Sequence, residues 1–278
     1  MVNPIPALIP AIIWAMSPIY YRVYLGKFDL LTLNFIRTTV GAAGLLIPAL
    51  LFGFNHSLLF AVVSGVVTLA VGDSLFLVAI REAGASIATP VVYTYVLLIQ
   101  LTASLVGESI PFTNIISALL ICLGIFLLSR GGQGKPRIRG IMVALGASLV
   151  WTVGQELIKV ATNGGGNVFS IAFARDGSAA IALGVVLVLR GGASKWRARA
   201  TARDLKYLCV VALTDLTVGS ALYVYSISAI GLAVTVILTS VSPFLTQILS
   251  RVLGKETPSN LDVAGGALIV LALVIAVV

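Results

Sequence analysis

The chain has little of what a water-soluble protein depends on. Only 10% of its 278 residues are Asp, Glu, Lys or Arg, and acidic side chains number ten. A soluble domain carries roughly 25% charged and about 45–50% apolar residues. Here 59% are hydrophobic and the mean hydropathy is +1.09. The one histidine, His56, excludes an H-E-x-x-H metal site, and no G-x-x-x-x-G-K-[ST] loop offers a nucleotide phosphate cradle. The two cysteines, Cys122 and Cys209, both lie in apolar stretches, so reduced packing residues are expected and no disulfide framework. No hydroxyl–base pair stands out, no selectivity-filter sequence appears, and the last apolar stretch has no Lys for a retinal Schiff base. These absences speak against an intramembrane enzyme, a channel and a photoreceptor, and no metal or cofactor is expected.

What is abundant is apolar sequence interrupted at regular distances. About 20 apolar residues cross a hydrocarbon core of ~30 Å as a helix. With Gly, Pro, Asn and charged clusters as punctuation, the chain divides into ten such stretches: 5–25, 30–53, 57–80, 86–107, 111–129, 139–161, 167–190, 205–228, 231–253 and 259–278. The longest loops, 130–138 and 191–204, leave no room for an extramembrane domain. The first stretch has no Lys or Arg before Ile5, so it is read as a spanning helix and not as a cleaved leader. The expected class is an all-α membrane protein of ten transmembrane helices.

Charge is sorted along this pattern. Fifteen of the eighteen Lys and Arg residues fall in alternate gaps: near Arg22 and Lys27, at Arg81, across 130–139, across 190–206, and at Arg251 and Lys255. Lys and Arg are retained on the cytoplasmic side of a membrane, so the bias predicts a multi-pass cell-membrane protein with both termini outside the cytoplasm. Lys159 is the exception among the gaps, and Arg37 and Arg175 fall inside stretches. The net charge of +8 is thereby assigned to topology and anionic lipid, not to nucleic acid.

The chain also repeats itself. Residues 69–111 align without gaps on 216–258, pairing Gly72 with Gly219, Gly84 with Gly231, Gln100 with Gln247, Gly107 with Gly254 and Pro111 with Pro258. Earlier in the halves the offset slips by about ten residues and pairs Trp14 with Trp151, Phe35 with Phe173 and Arg37 with Arg175. Five spans is an odd number, so the second repeat is expected to enter the membrane in the opposite sense. Inverted repeats are the architecture of secondary transporters, with the substrate site near the midplane between them. The expected division is a first repeat over 1–130, a basic cytoplasmic linker over 131–138 and a second repeat over 139–278.

On these residues the chain resembles the drug/metabolite transporter superfamily, specifically the EamA-type carriers built from two five-helix repeats. The resemblance runs through Gly72 to Phe76, Gly84, Gly107-Glu108-Ser109-Ile110-Pro111 and Gly124. In the second half it runs through Gly219 to Tyr223, Gly231, Pro243, Gly254-Lys255-Glu256-Thr257-Pro258 and Gly265. Arg37 and Arg175 look like the family's arginine in the second helix of each repeat. The resemblance implies a secondary carrier, with export as the implied direction. Similar members carry amino acids, sugar phosphates, nucleotide sugars or drugs. Two features depart from it. The essential Glu of the small multidrug relatives is missing from the first span. Many members also keep both termini cytoplasmic, opposite to the charge bias here.

An ionisable group at mid-membrane costs at least ~2.5–3.5 kcal/mol, so each is a functional candidate. They are Arg37, Asp73, Glu156, Arg175, Asp176 and Asp215. Asp215 shares a helical face with Gly219, Tyr223 and Ser226. It reads either as a cavity carboxylate for an amine or a proton, or as a partner for arginine. Asp73, near Gly65, Thr68, Gly72 and Phe76, offers the same pair of readings. Arg37 and the Arg175-Asp176 pair either clamp an anion or bridge the halves, and bridging is favoured because both repeats carry the arginine. Glu156 stands three residues before Lys159, a spacing that suits an intrahelical ion pair over a coupling role. Trp14, Ser17 and Tyr21 share one face, as do Trp151 and Gln155. Thr89, Tyr93 and Gln100 form a stripe matched by Ser240, Pro243 and Gln247. These aromatic and amide groups are candidate cavity lining, with packing or interface anchoring as the ordinary alternative. Pro90, Pro243, Gly72 and Gly219 are candidate hinges.

The leading expectation is a carrier for a small amphipathic metabolite, such as an amino acid, working by alternating access with protons as the candidate coupling ion. A transport-inactive sensor or scaffold of carrier ancestry is the alternative. Monomer and homodimer both remain open.

Overall fold

A computed structural model describes residues 3–130, 138–191, 200–254 and 260–277. The basic linker at 131–137 and the Lys255-Glu256-Thr257-Pro258 signal lie outside the described residues. Within them the chain is a bundle of ten helical segments. The first five are α1 (Ile5–Tyr24), α2 (Leu30–Phe52), α3 (Leu58–Ala83), α4 (85–106) and α5 (Phe112–Arg130). The second five are α6 (Ile138–Asn163), α7 (Val168–Leu189), α8 (Ala202–Ile230), α9 (232–254) and α10 (Asn260–Val277). Seven of these contain stretches long and apolar enough to cross a membrane, and shorter apolar stretches, Phe112–Leu127 and Val263–Ala276, lie in α5 and α10.

Local signals set several starts. Asp29 accepts from the backbone N–H of Thr32 ahead of α2, Asn167 from Phe169 ahead of α7, and Thr201 and Asp204 form a reciprocal capping box at α8. Gly84 and Gly231 turn the chain from α3 into α4 and from α8 into α9 with φ of +85° and +86°. L side chains rarely adopt that conformation.

The burial pattern is inside-out relative to a soluble protein. Leu51 and Leu105 are 79% and 81% exposed on the outer surface, whereas Asn34, Arg37, Asp73, Arg175 and Asp215 are buried among the helices. An apolar belt of this extent is suited to lipid, not water.

Loops of like parity meet. At one end Lys27 Nζ lies 2.5 Å from Asp204 Oδ1, and Gly84 and Gly140 pack against Arg22 and Ala83. At the other end Asn55 donates to the Gly164 carbonyl and Asn163 to the Val106 carbonyl. There too, both oxygens of Glu108 accept from the first N–H groups of α9, Leu232 at 2.5 Å and Ala233 at 2.8 Å.

The expected Glu156–Lys159 pair does not form. Lys159 Nζ instead lies 3.1 Å from Glu108 Oε1, and Glu156 Oε1 is buried without a partner. Glu108 is already fixed at the positive end of α9, so it presents Lys159 with an immobilised carboxylate. The charge-bias exception is therefore a lysine neutralised on site.

The repeat shows in the backbone irregularities. A π-helical turn, Val66–Gly72, interrupts α3, and another, Leu213–Gly219, interrupts α8 at the aligned position. Helix α4 breaks at Tyr93–Thr94 and α9 at Ser240–Val241, again aligned. Pro90 precedes the first break by three residues and Pro243 comes two residues after the second, so proline is not their common cause.

Candidate functional site

The π-turns of α3 and α8 face each other across the centre of the bundle, beside α1, α4, α6 and α7. They enclose a cavity of about 80 Å³, counted as room for the centres of water-sized molecules. A π-turn carries an extra residue, which rotates the next stretch of helix and frees backbone groups, and such turns recur at functional sites. Here they bring Thr68 and Asp73 from one half, and Asp215 and Ser220 from the other, to a single space.

At its centre is a buried triad. Arg37 Nη2 lies 3.2 Å from Asp73 Oδ2 and 3.0 Å from Asp215 Oδ2. Arg37 Nη1 donates to Asn34 Oδ1, and the guanidinium stands 4.1 Å above the Tyr21 ring, whose hydroxyl donates to Asp215. Trp151 Nε1 donates to Asp73 Oδ1 at 3.1 Å. One cation between two carboxylates leaves one net negative charge, held by hydrogen bonds that partly offset the cost of desolvating it.

Aromatic rings complete the walls in a crossed arrangement. Trp14, from the first half, donates to the Asp215 carbonyl, packs at 4.9 Å on Tyr223 and abuts Gly219. Trp151, from the second half, packs at 5.3 Å on Phe76 and abuts Gly72. Trp14 and Trp151 are aligned positions, as are Gly72 and Gly219, and Phe76 and Tyr223. Each half therefore inserts its tryptophan against the glycine of the other. A Cβ on Gly72 would sit 2.5 Å from Trp151 Cδ1, and one on Gly219 2.9 Å from Trp14 Nε1. This close approach accounts for both glycines, which close the π-turns.

The second arginine is built differently. Arg175 Nε donates to Ser64 Oγ at 3.1 Å and Nη1 to Ser220 Oγ at 3.2 Å. Each arginine touches the other half, Arg37 at the Asp215 carboxylate and Arg175 at the Ser64 hydroxyl.

Of the residues singled out by sequence as lining, the structure brings together Trp14, Ser17, Tyr21, Asp73, Phe76, Tyr93, Trp151, Gln155, Asp215 and Tyr223. Gln100, Ser240 and Gln247 are buried but do not line the cavity. The breaks in α4 and α9 explain this, because the helical phase changes just there. Gln100 Nε2 is carried over to the Ala233 carbonyl and Ser240 Oγ bonds the Val236 carbonyl. The same break brings in Tyr95, which a continuous helix would turn away from Tyr93. Ser220 was missed although it aligns with Asp73, and that alignment was the available signal. Asp176 and Glu156 stay outside the cavity wall. The Asp176 carboxylate faces Gly41 and Leu216, with neither oxygen hydrogen-bonded.

The EamA-like transporter family matches residues 5–130 and again residues 138–278. The chain belongs to this family. The central cavity lies among elements of both matched segments. Among relatives, an uncharacterized transporter of Archaeoglobus fulgidus is 26% identical over 160 residues, which span 55% of this chain and 57% of that protein. A solved protein crystal structure superposes with a TM-score of 0.75 at 22% identity, over 98% of this chain and 95% of the other. The likeness shows that the fold is shared along almost the whole chain.

Proposed function

We propose that the chain is a secondary carrier that exports a small amphipathic metabolite, such as an amino acid, by alternating access at the central cavity. The observation that carries the reading is the crossed wall. Charged and aromatic side chains from both halves meet in one buried space, so relative motion of the halves must remake the site. The halves act as inverted five-helix repeats, rocking about the π-turns at Gly72 and Gly219 and the breaks near Pro90 and Pro243. The net negative triad and the tryptophan faces suit a substrate amine, through charge and cation–π attraction. Export is taken from the family resemblance.

Protons are the coupling ion in this reading. A proton taken up by the triad removes one of the two negative charges that hold Arg37 and frees the guanidinium to repack. The basic loops face the cytoplasm of the cell membrane, which leaves both termini outside.

The test is flux by purified protein in liposomes, with pooled amino acids, nucleosides and sugar phosphates, with and without an imposed pH gradient. Gradient-driven accumulation that Asp215→Asn reduces to simple equilibration supports the reading. Equal flux with and without the gradient refutes proton coupling. Absence of flux for every solute, with the protein folded, refutes the carrier.

A further inference from the structure

The two arginines occupy aligned positions but not equivalent surroundings. Arg37 has a carboxylate from its own half, Asp73, and one from the other half, Asp215. Arg175 has hydroxyls in both places: Ser220, which aligns with Asp73, and Ser64 from the other half. Hydroxyls satisfy N–H groups but supply no ion-paired hydrogen bond. The neighbouring Asp176 attracts the guanidinium through space, but its carboxylate faces Gly41 and makes no hydrogen bond to it. Asp73 is already held by Arg37 and Trp151. Arg175 itself lines the cavity.

Further polar atoms in the wall lack partners. Thr68 Oγ1 and Gln155 Oε1 are buried without a hydrogen bond. Thr68 lies four residues beyond Ser64, and Gln155 comes directly after Gly154, whose carbonyl accepts from Ser64. Arg175, Ser64, Ser220 and Thr68 thus form a donor-rich corner of the cavity, with the Gln155 amide oxygen an open acceptor beside it. It is distinct from the negative triad around Arg37.

We propose that Arg175 is the receptor for an oxyanion of the transported solute, a carboxylate or a phosphate. Ser64 and Ser220 hold the guanidinium in position, and the Thr68 hydroxyl is the further donor in this corner. Arg37, neutralised by two carboxylates, takes no part in anion recognition. The inference rests on the carrier reading and adds that the solute must be anionic at one end.

The test compares anions with their uncharged counterparts: α-amino acids against their carboxamides, and phosphate monoesters against the parent alcohols. Binding is read from quenching of tryptophan fluorescence, since Trp14 and Trp151 line the cavity, and flux is read in liposomes. Charge-assisted hydrogen bonds predict a preference for at least one anion of about 10- to 100-fold. Ser220→Asp would give Arg175 the internal carboxylate that Arg37 already has, and should bring that ratio close to one. Ser220→Ala loses the hydroxyl without adding charge, so the ratio should fall further in Ser220→Asp than in Ser220→Ala. Ser64→Asp places the carboxylate from the other side and serves if Ser220→Asp does not fold. An anion-to-neutral ratio near one in the unmodified protein overturns the inference. So does a ratio that survives a folded aspartate variant. If uncharged or cationic solutes still move in those cases, the carrier reading stands alone. No flux of any solute removes both.

Discussion

Gly72→Ala tests the crossed tryptophans directly. The new Cβ would lie 2.5 Å from Trp151 Cδ1 and 2.8 Å from Nε1, against an ordinary separation of about 3.5–4.0 Å. The indole must therefore withdraw by about 1 Å. It is wedged by Phe76, Tyr93 and Tyr95 and tied to Asp73. Overpacking of this kind costs about 1–3 kcal/mol, and losing a hydrogen bond to a carboxylate about 1.5–3 kcal/mol more. Alanine recovers about 1 kcal/mol over glycine as a helix former, so a net loss of roughly 1.5–5 kcal/mol is expected. For a chain of this size each kcal/mol corresponds to about 2–4 °C in Tm. Thermal unfolding of the detergent-solubilised protein, monitored by intrinsic fluorescence, should fall by several degrees. Trp151→Phe in the same chain should relieve the clash, so the double variant should be less destabilised than the two losses added, with coupling of about 1–2 kcal/mol. An unchanged or higher Tm for Gly72→Ala, or strict additivity in the double variant, refutes the packing argument.

Arg37→Gln should be the most damaging single change, because it leaves Asp73 and Asp215 buried without their cation. Breaking such a pair costs about 3–5 kcal/mol, and adding Asp73→Asn should recover part of the lost Tm. Glu108→Gln should lower Tm through loss of the Lys159 pair and weaker capping of α9. Lys159→Met, which leaves the two N–H contacts intact, should lower it less. Gly107→Ala forces a side chain into the left-handed region at φ +84°, ψ +21°, a strain of about 1–2 kcal/mol. Gly231→Ala forces one to φ +86°, ψ +160°, a region essentially confined to glycine and costing about 1–3 kcal/mol. Only Gly231→Ala also meets the Glu108 carboxylate, at 3.0 Å, so it should show the larger fall in thermal unfolding.

The helices were legible because lipid imposes a uniform requirement: each span needs about 20 apolar residues, and Gly, Pro and charge mark the joints. The lining positions on α1, α3, α6 and α8 were legible because polar groups among apolar residues are rare there. What escaped depends on phase. A π-turn or a two-residue break has no compositional signature, so helical spacing carried across Tyr93–Thr94 assigned Gln100 to the wall and left out Tyr95. The Glu156–Lys159 pairing erred for a different reason. Sequence spacing reports neighbours on one helix but cannot see Glu108 arriving from a distant loop.

The exchange of tryptophans means that neither half owns its own wall. Alone, residues up to Arg130 would display Gly72 with no indole to fill the notch, and the Trp14 ring would lose Tyr223 and Gly219. The second half would be incomplete in the complementary way. The smallest unit that closes the cavity is therefore the joined pair. A chain cut between Arg130 and Ile138 should recover its cavity only when both fragments are made together.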